Sequence, residues 1–268
     1  MLSGMLGKVF LLAQILSLVG LVGDWAAEIE GLTKSRIIVM RLSPGELPVG
    51  EPHRSMARQH FSDPVFLQMF KASQALSLNP NGSAGPFQYI FVNDKLAPQD
   101  EESFNALLAH ELGHLWIRAR GYPTPRYATG EAGCLSVTTG DVLQHILMRG
   151  EMDRRGIVWR SGLVNQLEPA LVKLREPLAD EPAKTPRCQM LAQISLWLDV
   201  DLGLQEQDWK YRQDFLSLME ARFPAVAEQG RILAKELGAA NLADKDVHRK
   251  QLQLVFARLK LFAVTQVN

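Results

Sequence analysis

Phe87 to Arg120 read FQYIFVNDKLAPQDEESFNALLAHELGHLWIRAR, and two kinds of element meet within that stretch. FQYIFV is aromatic and β-branched and ends at Asn93 and Asp94, so it reads as a strand. Asp100 can cap a helix, and Glu101 and Glu102 suit the positive end of its dipole. The helix then runs through Phe104, Leu107, Leu108, His110, Glu111 and His114 to about Arg120, where Gly121 and Pro123 stop it.

Upstream, Arg36–Arg41 (RIIVMR) reads as a short strand, and residues 42–52, with three prolines and two glycines, as a loop. Asp63 as N-cap and Pro64 at the first position open a helix whose apolar residues recur as far as Leu78. NPNGSAGP at 79–86 is a turn cluster. Downstream, residues 121–137 are a connection rich in Gly, Pro and Thr. A second helix is expected over about 139–155, ended by Gly156. A Pro-containing stretch follows around 176–186, then three or four amphipathic helices near 187–200, 206–222, 224–238 and 244–263. The fold class is therefore α+β, mainly α: a small sheet, a motif helix, a second helix and a helical carboxy-terminal part.

The first thirty residues differ from the rest. Lys8 is the only charge before Asp24, and Val9–Gly23 (VFLLAQILSLVGLVG) is nearly all apolar. That run is short for a bilayer span but suits a signal-peptide core or an amino-terminal anchor, with 1–30 as its bounds. The expectation is an exported protein, periplasmic or secreted, with possible membrane association through this segment. Cys134 and Cys188 could pair in such a compartment; buried thiols are the alternative. The 29 basic and 29 acidic residues balance, and no long basic run points to nucleic acid.

Within the motif helix, HELGH carries chemistry. His110 and His114 are four residues apart, so the helix turns by about 400° and lays both imidazoles on one face about 6 Å apart along the axis. Two neutral imidazoles so placed can reach one Zn2+ ion. Glu111 lies beside rather than on such a metal, where its carboxylate can take a proton from water and return it to a leaving group. Leu107, Leu108, Leu112, Leu115 and Trp116 flank the motif. Burying two histidines and a glutamate among them without a metal is costly.

HELGH in this setting resembles the zincin metallopeptidases, over about seventy residues from Phe87 to Gly156. The resemblance implies His110 and His114 as zinc ligands, Glu111 as general base, and an edge strand, here FQYIFVND, that pairs with an extended peptide. Ile117 and Arg120 stand where the metzincin branch has a glycine and a third histidine. The chain is thus similar to the gluzincins, which take the third ligand from a following helix. The second helix offers His145 as first choice and Asp141 one turn earlier; Glu131 in the connection is a further alternative. Whichever of Asp141 and His145 is not the ligand could orient one. The expected organisation is a zincin-like catalytic domain over 31–160 with a helical part over 161–268 packed on it.

The implied activity is that of a zinc metallopeptidase acting on a peptide or protein substrate. Two alternatives stand beside it: a binding or regulatory protein of the zincin fold without turnover, and a zinc hydrolase of other amides or esters. Tyr122 and Tyr127 are candidate oxyanion donors. Glu151 and Asp153, set among Arg149, Arg154 and Arg155, read as ion pairs. His53, His60 and His248 are isolated and read as surface or packing residues.

Overall fold

The computed structural model describes residues 14–16, 18–78, 85–127, 132–176, 187–259 and 265–267. At 14, 15, 65, 126, 127, 132–139, 187, 188 and 265–267 it describes the backbone alone. The α+β, mainly α class holds. The chain divides into two compact units, Met1–Gln99 and Asp100–Asn268. That division falls within the 31–160 segment, so the motif helix groups with the helical carboxy-terminal part.

The first unit is built on a mixed four-stranded sheet in the order β1-β2-β4-β3. Its strands are β1 (Gln14–Leu16), β2 (Arg36–Leu42), β3 (Ala75–Leu78) and β4 (Phe87–Asn93). β4 runs parallel to β2, with Arg36 opposite Phe87, and antiparallel to β3, with Ala75 opposite Val92. It is therefore an interior strand, and the expected edge strand is corrected. The reason is in its composition. Six of its seven residues are buried, an almost unbroken run that marks a strand covered on both faces. Even its polar residues are held inside: Gln88 donates to Thr33 Oγ1 at 2.8 Å and Asn93 to the Phe70 carbonyl at 2.8 Å.

Helices α1 (Gly20–Thr33), α2 (His53–Phe61) and α3 (Pro64–Ala72) complete this unit. The helix expected over 63–78 ends at Ala72, and Ala75–Leu78 pairs with β4 instead. Pairing with β4 outweighs the helical spacing of these few apolar residues. Phe61, Phe66, Phe70, Tyr89 and Phe91 form an aromatic core with Met40 and Leu42, in which Phe61 stacks on Phe91 at 5.6 Å. Such ring pairs add about 0.5–1.5 kcal/mol each beyond their burial. Part of the 1–30 segment also belongs here. β1 pairs with β2, and the Glu30 carboxylate accepts a hydrogen bond from the Ile37 N–H at 2.7 Å. Residues 1–13 and Ser17, which hold much of the apolar run, lie outside the described residues. Among those described, no helix is long and apolar enough to cross a membrane.

The second unit holds α4 (Glu101–Ala119), α5 (Ala132–Arg154), α6 (Arg160–Arg175), α7 (Arg187–Gly203), α8 (Arg212–Arg222), α9 (Pro224–Gly238) and α10 (Lys245–Arg258). A two-stranded ladder pairs β5 (Pro125–Tyr127) with β6 (Thr265–Val267). α4 packs against α5 and α6, and α5 against α7. Asp100 caps α4 as expected, accepting from the Ser103 N–H at 2.8 Å. Gly121 takes the left-handed φ of 69° just past its end. α5 begins seven residues before the expected start near Thr139.

One contact sets the separation of α4 and α5. A Cβ at Gly113 would stand 2.7 Å from Met148 Sδ and 2.8 Å from Met148 Cβ. The fourth residue of HELGH thus lies against Met148 of α5, and only a bare α-carbon admits that approach.

Candidate metal centre

α4 supplies His110 and His114, one turn apart and surrounded by buried Leu107, Leu108, Leu112 and Leu115. α5 brings His145 to the same point. One ligand nitrogen from each of the three rings lies within 4.8 Å of the others, and this is the only such cluster among the described residues. His110 Nε2 and His114 Nε2 are 3.3 Å apart. The ring centroids of His110 and His145 are separated by 4.8 Å, and those of His114 and His145 by 5.7 Å.

Each of two rings is fixed from behind. His114 Nδ1 lies 2.8 Å from the Gln144 side-chain oxygen, which can only accept, so Nδ1 carries the proton and Nε2 is bare. His145 Nδ1 lies 3.0 Å from one oxygen of Asp199 and 3.3 Å from the other. By the same reasoning it donates there, leaving its Nε2 bare.

The electrostatics favour neutral rings at His110 and His114. Burial, followed by the charges of His145 and Arg118, pushes His114 down to about 3 against the opposing Gln144 bond. Burial and the neighbouring His145, His114 and Arg149 hold His110 well below its ordinary value. Burial, opposed by His145 and Arg118 and aided by Asp199, brings the Asp141 carboxyl up to about 6. Burial also works to raise Asp199, but Arg149 and His145 outweigh it and hold that carboxyl well below the usual range.

A fit to zinc can be judged from the nitrogens alone. A tetrahedron with arms of roughly 2.0–2.1 Å has edges of roughly 3.3–3.4 Å, matching the His110–His114 nitrogen separation of 3.3 Å. Three neutral imidazoles are a donor set that zinc accepts, and three protein ligands leave a position open.

His110, His114 and His145 are brought together; Asp141 stands outside the cluster. The expectation that Asp141 accepts the His145 N–H is corrected, because Asp199 of α7 does so. Glu131 lies outside the described residues, as do the side chains of Cys134, Cys188 and Tyr127. Tyr122 donates its hydroxyl proton to the Ala243 carbonyl at 3.1 Å and packs on Trp116 and His248, so its hydroxyl is engaged elsewhere. Glu151 pairs with Arg154 and Arg155, and Asp153 with Arg160, as ion pairs. His53 packs on Phe87 and Tyr89, His60 on Phe66, and His248 is buried.

Gln144, Arg149 and Asp199 were missed. Asp199 left a trace: it is an acid between Leu198 and Val200 in an otherwise apolar turn of α7, the kind of residue that needs a partner when buried. Glu111 is buried and stands seven residues before Arg118, nearly two full turns, so the two share a face of α4. The Arg118 guanidinium attracts the carboxylates of Glu111 and Asp141. Beside the centre, a cavity of about 50 Å³ is lined in part by His110, His145, Arg149, Asp199 and Trp159.

Comparison with known proteins found no matching family model, no matching curated protein and no matching solved structure.

Proposed function

We propose that this protein is a zinc-dependent hydrolase resembling the zincins, and that it cleaves peptide bonds. The observation that carries the reading is the convergence of His145 on the HELGH pair, with the Nδ1 atoms of His114 and His145 both tied back so that their bare Nε2 atoms face inward. His110, His114 and His145 would hold the ion. Zinc held there supplies a Lewis acid and lowers the pKa of water to near 7. Glu111, one residue past the first ligand, is the general base. The Arg118 guanidinium attracts its carboxylate. The proton taken by Glu111 then passes to the leaving amine.

A metal centre without turnover has one observation on its side. A cavity of about 50 Å³ beside His110 and His145 has room for a few water molecules. The test that separates the readings pairs metal analysis with a peptide-library assay. About one zinc per chain, lost in His110→Ala and His114→Ala, with zinc-dependent peptide cleavage, supports the peptidase. Zinc without cleavage of any peptide, amide or ester supports the binding protein. Equal metal in all three proteins removes the centre altogether.

The export reading of the amino-terminal segment stays with this proposal. It rests on Lys8 and the apolar run that follows, and fractionation of cells making the tagged chain tests it. A full-length, soluble cytoplasmic product would overturn it.

A further inference from the structure

The buried pair formed by Asp199 and Arg149 has no part in the steps above, and it is connected to the centre. Asp199 takes the Nδ1 proton of His145 at 3.0 Å and receives Arg149 Nη1 at 2.7 Å on the same oxygen. The side chains are 13% and 8% exposed, so both charges are largely out of water. Arg149 is itself held in place. Its guanidinium lies over the Trp159 ring at 5.2 Å. A Cβ at Gly203 would stand 3.0 Å from Arg149 Nη1, so the glycine leaves the room the guanidinium occupies.

Stability is a poor reason for such a pair. An apolar replacement of similar volume is often neutral or stabilising by about 1–4 kcal/mol, because desolvating two charges offsets their attraction. Orientation is a better one. A carboxylate behind a ligating histidine fixes its tautomer and ring plane and makes the inner nitrogen a stronger donor. Arg149 in turn fixes the carboxylate and balances its charge, so the cluster carries no excess negative charge.

Resting on the metal-centre reading above, we infer that Asp199 and Arg149 are positioning residues for the third ligand. α7 is then part of the centre, since without it His145 is free to turn or to present the wrong nitrogen. The chain from Trp159 and Gly203 through Arg149 and Asp199 to His145 draws on two helices, α5 and α7, and the turn before α6.

The test measures zinc affinity by competition with a chromogenic chelator, alongside the absorption spectrum of the Co2+-substituted protein and the melting temperature of the metal-free protein. In Asp199→Leu/Arg149→Met, affinity is expected to fall about 10–100-fold while the metal-free melting temperature stays at or above wild type. Asp199→Asn, which keeps shape and loses charge, is expected to weaken binding and shift the Co2+ bands. Wild-type affinity and an unchanged spectrum in Asp199→Asn overturn the inference even if the double variant fails to fold. A wild-type protein that binds no Zn2+ or Co2+ overturns the metal centre itself, a separate result.

Discussion

The two histidines of the first unit and three of the four in the second are used in opposite ways; the fourth, His248, packs on Tyr122 like those of the first unit. In the first unit His53 meets the edges of Phe87 and Tyr89, with Nδ1 at 3.3 Å from the Tyr89 hydroxyl, and His60 lies against Phe66. Each serves singly as a flat, half-polar packing piece. In the second unit three rings face one another, and two of them have their outer nitrogens tied. A histidine becomes part of a centre when a second element delivers another ring to the same point. The four-residue spacing makes half the centre, and the close crossing at Gly113 and Met148 makes the other half.

The largest expected effect falls on chemistry alone. Glu111→Gln should keep zinc and the fold while lowering hydrolysis by about 10²–10⁴-fold; single-turnover assays on metal-loaded protein check it. A variant as active as wild type would place the base elsewhere.

Next comes metal affinity. His145→Ala should weaken zinc binding by more than the roughly 10–100-fold typical of a lost outer hydrogen-bond partner. Asp141→Ala should change it less, and His53→Ala and His60→Ala not at all. The reverse ranking of His145 and Asp141 would break the comparison, because the delivered group would be the carboxylate.

How much of this could be seen in the sequence follows from range. The motif helix was legible because its cap, its apolar face and its stop all lie within twenty-odd residues. The later helices near 187–200 and 224–238 were legible for the same reason. α5 begins seven residues earlier than expected because Gly133, close behind Thr129 and Gly130, reads as part of the connection. β4 is an interior strand, and the apolar run Tyr89–Val92 already argued for cover on both faces. Asp199 is more than fifty residues from His145, and no local pattern joins them. Gly113 is the point of contact with another helix, and no local pattern announces that.

That contact gives a smaller effect. Gly113→Ala drives a methyl into Met148, and overpacking of this kind destabilises by typically 1–3 kcal/mol. Urea melts should show that loss, and zinc affinity should fall with it, since α5 carries His145. Retained affinity in a destabilised variant would show that the centre tolerates a wider crossing.

Acid should bring out the contrast most gently. In the metal-free fold His114 is held down to about 3, from an ordinary 6.5, with burial the leading cause. The unfolded chain therefore binds more protons between those values, and the stability this ring contributes is present above pH 6.5 and drains away as pH falls toward 3. His60 is also lowered by burial, although Asp63 pulls it back. Denaturation of the metal-free protein from pH 7.5 down to pH 4 should show a shallower decline in His110→Gln/His114→Gln, and a nearly unchanged one in His60→Gln.

Gln144 and His145 are consecutive, and this adjacency turns α5 into a key with two teeth. One tooth holds the Nδ1 of His114, and the other offers the third nitrogen. A twist of the helix about its own axis carries both through the same angle. In the proposed centre, such a twist would therefore move the third nitrogen and the His114 anchor together.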